Sequence, residues 1–205
     1  LPERCDVLVS EMIGDDPLDE NILAMTDDAI ARHLKPNPRL IPNRLDIIAQ
    51  PLRMPRKLRQ EEFFCEDIVA GWEKLYGLNF RPLLDSNPRQ AMEQILPQDM
   101  KKWELIGEPR VLTSIDLTRI SKAVFDEQFD FDLGDQVADG MAVYFETRLS
   151  EGQLLSTTPS EVGDPTHWLS PCHMFRSEFR NRLTIGFRYG VSDALDGVYL
   201  PDAGS

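Results

Sequence analysis

The apolar and polar positions change period along the chain. The short run Val7-Leu8-Val9, within Asp6 to Ser10, reads as a strand, and Gly14 to Pro17 supplies the breakers after it. From Asp19 or Glu20 through His33, apolar residues at Ile22, Leu23, Met25, Ala29, Ile30 and Leu34 fall close to a period of about 3.6. This predicts a helix with Glu20 in its first turn. A carboxylate there complements the helix dipole and is worth about 0.3–1 kcal/mol in a purely structural role. Pro36, Pro38 and Pro42 then end the helix, and LDIIAQPL from Leu45 opens a region of strand-like runs.

A helical insertion follows. In EEFFCEDIVAGWEKLYGL, residues Phe64, Ile68, Val69, Trp72 and Leu75 share one face, and beyond Pro82 to Pro88 a second helical piece is predicted near Arg89 to Leu96. After it VLTSIDLTRI, KAVFDEQFDFDL, GMAVYFETRL, HMFRSEF and RLTIGFRYG alternate apolar and polar residues over strand-length windows, separated by Gly, Pro, Asp or Ser. Short strands with helices segregated to an insertion predict an α+β, mainly β fold: an antiparallel sheet or barrel with an inserted helical arm. There is no internal repeat and no low-complexity tract.

Length and charge narrow the function classes. At 205 residues the chain makes one large or two small domains and can bury a substantial core. A net charge of −13 argues against a nucleic-acid backbone or an anionic membrane as main partner and favours a basic one, unless it serves solubility alone. Cys5, Cys65 and Cys172 are odd in number and outside any CxxC spacing, so neither a disulfide framework nor a zinc or other metal site is indicated, and a reducing compartment fits. No apolar stretch approaches the roughly 18 residues of a membrane span, and LPERCD is no secretion signal, so the expected location is cytoplasmic, or nuclear in a eukaryote. A chain that enters a strand within five residues of a leading Leu is expected to start inside a larger protein.

The candidate chemistry lies in SEMIGDDPLDE, Ser10 to Glu20, where Glu11 and Glu20 stand nine residues apart across a turn-rich segment. Two carboxylates so delivered can grip one planar cation. A guanidinium keeps its charge and presents a fork of donors that suits two carboxylates, which makes arginine the first substrate to test. The plain alternative is a solvated acidic loop, since about a quarter of an average chain is charged.

The segments in order resemble the protein arginine N-methyltransferases over nearly the whole chain. DVLVSEMIGDDPLDENI keeps Ser10, Glu11, Gly14, Leu18 and Glu20 in the places of that family's double-E loop. HLKPNPRLIPNR, with Pro36, Pro42 and Arg44, resembles its linker into a β-barrel; WEKLYGLNF, Trp72 to Phe80, its helical dimerisation arm; and STTPSEVGDPTHW, Ser156 to Trp168, its loop ending in Thr-His-Trp. The resemblance implies a division into residues 1–42, the end of a Rossmann-like cofactor domain with its last strand, the double-E loop and a helix, and 43–205, a substrate-binding barrel with the arm at about 62–105.

The same resemblance implies roles. Glu11 and Glu20 would hold the substrate guanidinium, with Ser10 beside them, in line with the methyl group of S-adenosylmethionine. His167 would lie on a loop that reaches the active site and take the departing proton, the alternative being a loop-packing role. Trp168 would wall the substrate pocket or serve as a packing anchor. His33 and His173 match no motif and are expected to be ordinary surface or packing histidines. Trp72, Tyr76 and Phe80 would pack on a second subunit to give a homodimer, or else bury their face on their own barrel. The expected partner is an arginine-containing, basic protein or peptide, with no membrane and no direct nucleic acid.

This sequence departs from the family in three places. It has no GxGxxG-like element, so S-adenosylmethionine would be bound by an N-terminal domain outside these residues, and the chain alone is expected to be inactive. Ile13 and Ile22 stand where methionines follow the glutamates, and Asp15 where an aromatic follows the glycine; Asp16 and Asp19 add charge to the same loop, either favouring a basic substrate or remaining solvated. The tail after Thr166-His167-Trp168 is short. The other reading is a non-catalytic relative whose barrel is a protein-interaction module.

Overall fold

The computed structural model describes residues 3–120, 124–163, 166–192 and 194–202. Strand β1 (Cys5–Val9) pairs in parallel with β2 (Leu34–Ile41), and helix α1 (Ile22–His33) crosses between them. Two expectations change here. The helix begins at Ile22 after Asn21, whose φ of 60° is left-handed, so Glu20 lies outside the first turn and has no helix-stabilising role there. Pro36 and Pro38 fall within β2 and do not simply break the chain. A two-stranded sheet is all edge, where a residue without an N–H is tolerated.

From Arg44 onward the chain builds an antiparallel sheet. Its strands are β3 (Arg44–Arg53), β4 (Gln90–Ile95), β5 (Glu104–Leu105), β6 (Arg110–Asp116), β7 (Phe125–Ser150), β8 (Gln153–Ser156), β9 (Ser170–Tyr189) and β10 (Gly197–Tyr199). The path runs β10-β9-β7-β3-β5, with β4 also on β9, β6 on β3 and β8 on β7. Helices α2 (Arg56–Glu62), α3 (Glu66–Tyr76) and α4 (Pro82–Ser86) form the insertion, and the short α5 (Pro97–Met100) precedes β5.

The predicted second helical piece near Arg89 to Leu96 is instead β4, paired residue for residue with Pro171–Phe175 and its neighbours on β9. Its alternation, half-buried Ala91, Glu93 and Ile95 with exposed Met92 and Gln94 between them, has a strand period that the helical segments before it obscured. The arm proper is therefore shorter than 62–105. In the other direction, segments that read as separate strands fuse: KAVFDEQFDFDL from Phe125 onward and GMAVYFETRL lie on the single strand β7, and HMFRSEF and RLTIGFRY on β9. Gly134, with φ of 53°, and the register shifts around it bend the long pair without ending it.

Both faces of the sheet are covered. Leu45, Ile47, Ala49, Met141, Val143, Phe145, Phe175, Leu183 and Ile185 belong to the main core, which also takes in Ile13, Leu18, Ile22 and Leu23 from the first segment. Ile48, Leu52, Ala142, Tyr144, Cys172 and Met174 face the opposite way, under Met54, Phe63 and Met100. Double burial explains the consecutive apolar residues Ile47-Ile48-Ala49 at the centre of β3, where a half-exposed strand would alternate.

Candidate functional site: two loops joined at the mouth of the sheet

The loop from Ser10 to Asn21 is held by what it buries. Ser10 donates its backbone N–H to Ile41 O at 3.0 Å, and beyond it Ile13 and Leu18 enter the main core while Glu11 and Glu20 stay exposed. Burying a side chain of this size is worth about 1.5–3 kcal/mol. Gly14 permits the fold of the loop: a Cβ there would lie 1.6 Å from Asp19 Oδ1, so the Asp19 carboxyl closes over the bare backbone. Turns from Asp19 N to Asp16 O (3.0 Å) and Asn21 N to Leu18 O (3.3 Å) deliver Glu20 just ahead of α1.

The second loop is stitched to the first. Trp168 Nε1 donates to Ile13 O at 2.6 Å, and Leu169 N donates to Asp15 Oδ1 at 2.7 Å. The Trp168 ring stands edge-on to Phe145 at 5.6 Å and lies beside His167 at 4.0 Å between centroids. Tyr189 OH adds a contact to Leu18 O at 3.4 Å. His167 itself is exposed, and with Trp168, Glu161 and Leu155 it lines a cleft of about 610 Å³.

The two loops thus meet through Trp168 and Leu169 on one side and Ile13 and Asp15 on the other. Among the described residues Glu11 and Glu20 have no hydrogen-bond or ion-pair partner, which leaves both carboxylates free for a cation. Trp168 is first of all an anchor between loop and sheet. Asp15 is neither solvated nor idle, since its carboxylate caps the Leu169 amide. Burial pushes the Asp16 carboxyl above its ordinary value, with Asp19 and Asp196 adding to the effect against the Leu18 amide. Burial does the same for Asp19, with Asp15 beside it.

Sequence reasoning missed the latch between Asp15 and Leu169; its only signal is an acid directly after the glycine. His173 proves to be a packing histidine of an unusual kind: it is buried, its Nδ1 has no partner among the described residues, and burial pushes its pKa down to about 4.

The arm lies elsewhere. Phe64, Trp72, Phe80 and Tyr76 form a row of edge-to-face rings with centroids 5.8–6.1 Å apart, while Leu75, Tyr76 and Leu78 are 71%, 63% and 63% exposed. The row packs within the arm and does not cover it. No group of three or more His, Cys, Asp or Glu among the described residues is arranged to hold a metal ion. No described helix is long and apolar enough to cross a membrane.

An antiparallel barrel-type sheet with a helical insertion, entered through a parallel strand pair and one helix, defines the class of fold. No protein-family profile matches the chain. Among curated proteins it is similar to protein arginine N-methyltransferase 6 of Xenopus laevis, 26% identical over 178 residues, covering 82% of this chain and 49% of that protein. The Xenopus tropicalis counterpart is 23% identical over 181 residues, with the same coverage. The chain thus spans about half the length of the curated relatives it matches. Two solved structures share the fold at 20% identity. Trypanosoma brucei PRMT1, in an enzyme-prozyme heterotetrameric complex with AdoHcy, superimposes with a TM-score of 0.71 over 96% of this chain and 61% of its own. Arabidopsis thaliana protein arginine methyltransferase 10 does so with a TM-score of 0.66 over 92% and 61%. The chain is thus similar in sequence to two protein arginine N-methyltransferases and shares its fold with two solved ones, its sheet and insertion matching their C-terminal barrel region.

Proposed function

We propose that these residues are the substrate-gripping, C-terminal portion of an S-adenosylmethionine-dependent protein arginine N-methyltransferase. The observation that carries the reading is the pair of free carboxylates, Glu11 and Glu20, at the two ends of a loop held fast by the Thr166-His167-Trp168 loop. Their charge-assisted hydrogen bonds fix a guanidinium and draw its positive charge toward the nitrogens they touch. The remaining nitrogen keeps more lone-pair character, and the His167 imidazole takes the proton that nitrogen releases. Positioning supplies much of the rate in such a displacement.

The sequence has no Gly-rich loop to cradle S-adenosylmethionine, which would supply the methyl group. That task falls to a part of the whole protein outside this chain, consistent with relatives about twice as long. The chain by itself is accordingly inactive, and the division near residue 42 separates the end of a cofactor domain from the barrel. The exposed row Leu75, Tyr76 and Leu78, backed by Trp72 and Phe80, would seat a second subunit. Substrates are arginine-bearing and basic, matching the charge of −13.

In the whole protein, Glu11→Gln or Glu20→Gln should lower methyl transfer to an arginine peptide by about 10²–10³, the cost of removing one preorganised electrostatic group. Wild-type turnover in either variant removes the assignment. A second reading, a non-catalytic barrel that binds basic segments, is favoured by one observation: Asp15, at the position where family members carry an aromatic, spends its carboxylate on the Leu169 amide. Calorimetry separates the two, because on that reading the whole protein binds an arginine peptide but no S-adenosylmethionine.

A further inference from the structure

Where β6, β3 and β7 end together, the strand register sets two arginines face to face. Arg44 lies directly opposite Arg148 on one side and Asp116 on the other. Asn43 locks the arrangement, donating its N–H to Arg148 O at 3.0 Å while its own carbonyl accepts Leu117 N at 3.0 Å. Like charges directly opposite on neighbouring strands destabilise a sheet unless an anion lies between them.

In this acidic chain other arginines are taken up. Arg32 pairs with Asp28, Arg56 with Asp67, Arg182 with Asp130 and Arg188 with Asp126, and Arg4 donates to the carbonyls of Ala31 and Leu34. Among the described residues the Arg148 guanidinium has no hydrogen-bond or ion-pair partner, and that of Arg44 uses only Nε, toward Asp46 Oδ1 at 2.9 Å. The two guanidinium groups line a cleft of about 480 Å³ with Asn43, Ser114, Asp116 and Thr118.

The carboxylates nearby are already engaged. Asp46 also accepts from Ser114 Oγ. Asp116 accepts from Thr118 Oγ1 at 2.6 Å and Thr118 N at 2.9 Å, which hold it below the usual carboxylate range with help from Arg119 and Arg44. Arg119, whose guanidinium makes no hydrogen bond or ion pair among the described residues, lines the adjoining cleft that shares Thr118. Positive charge therefore gathers here against the sign of the whole molecule.

We propose that Arg44 and Arg148 form a site for a phosphate-class oxyanion, either free or carried on a peptide side chain, with Asn43 and Thr118 at its rim. Two planar forks meeting at one cleft suit a tetrahedral dianion, whose oxygens can accept from both at once. The site goes beyond the arginine grip and does not depend on it.

The test is a titration of the full chain with inorganic phosphate against sodium chloride at matched ionic strength, following the arginine Nε–H signals by NMR. Saturable shifts are expected at Arg44 and Arg148. Binding should weaken at least ~10-fold, a loss within the range of a charge-assisted hydrogen bond, in Arg148→Gln and also in Arg148→Lys, which keeps the charge but loses the fork. Arg39→Gln is the control, an exposed arginine on β2 outside both clefts, and should leave binding unchanged. A phosphoserine peptide binding more tightly than phosphate, with its unphosphorylated form not binding, identifies a peptide source; equal or weaker binding identifies the free anion. Shifts that never saturate, saturate equally in Arg148→Gln, or weaken equally in Arg39→Gln overturn the site. Arg148 is exposed, and circular dichroism verifies that its variants fold.

Discussion

The mouth of the sheet and the helical arm use aromatic residues in opposite ways. At the mouth, Trp168 is spent on this chain, edge-on to Phe145 and hydrogen-bonded to Ile13 O, so that the polar groups Glu11, Glu20 and His167 stand free on an anchored frame. In the arm, the rings from Phe64 to Tyr76 hold only one another, and apolar Leu75 and Leu78 are left in the open. The first region is fastened within the chain and leaves its polar groups exposed. The second leaves a row of apolar side chains in the open, as the proposed second subunit requires.

The two regions also differ in how they are fastened. The arm is tied to the sheet by charge: Asp139, 1% exposed, faces Arg53 at 3.1 Å and Arg59 at 3.3 Å and accepts from Met54 N at 2.7 Å. Arg59 reaches on to Phe175 O at 2.8 Å. The largest expected effect is therefore Asp139→Ala, which removes the buried acceptor of Met54 N and the ion-pair partner shared by Arg53 and Arg59. It leaves Arg53 with Glu178 and Arg59 with the Phe175 and Arg176 carbonyls. Breaking a buried pair costs about 3–5 kcal/mol, and the low end applies because both arginines keep some contact with water. Hydrogen exchange should show α2 and α3 loosened and the Ser10–Asn21 loop protected as before. Equal loosening of both would erase the distinction between the regions.

Trp168→Phe is the next step down. It keeps the ring on Phe145 but removes the donor to Ile13 O, at a cost of about 0.5–1.5 kcal/mol in chemical denaturation. Exchange should now rise in the loop and not in the arm.

Asp16→Asn tests the same loop through pH. The Asp16 carboxyl is raised in the folded state, chiefly by burial, so its favourable contribution is present below the ordinary carboxylate range and is lost as pH rises through the raised value. The asparagine variant should melt higher than wild type at neutral pH, and the gap should close in acid. A variant that melts lower at neutral pH would show that the charged form is the one the loop needs.

The smallest effect on stability belongs to Leu75→Ser. At an exposed position the monomer should change by no more than about 0.5 kcal/mol. Light scattering on the whole protein should nonetheless show loss of the proposed dimer, and a wild-type mass in the variant would remove Leu75 from the proposed interface.

Much of this was legible in the residues. The strand before the loop, the helix ending at His33, α3 and the alternating runs beyond Arg110 follow local period, because one buried face imposes it. What local period could not show was continuity and pairing. Gly134 reads as a strand end, yet β7 passes through it, since a long partner in β9 carries the chain across the bulge. Residues 90–95 read as helix because they follow helices. Pairing with Pro171 to Phe175 settles them as a strand.

The sequence alone determined the spacing of Glu11 and Glu20, the acidic balance, the apolar face of the arm and the resemblance to arginine methyltransferases, because each is a matter of residue type and separation along the chain. Only the tertiary structure decided that Asp15 and Ile13 hold the Trp168 loop, that Glu20 stands before the helix and not in it, and that Arg44 meets Arg148. Those outcomes depend on which distant backbone supplies the partner for a buried or opposed polar group, and no local pattern encodes that choice.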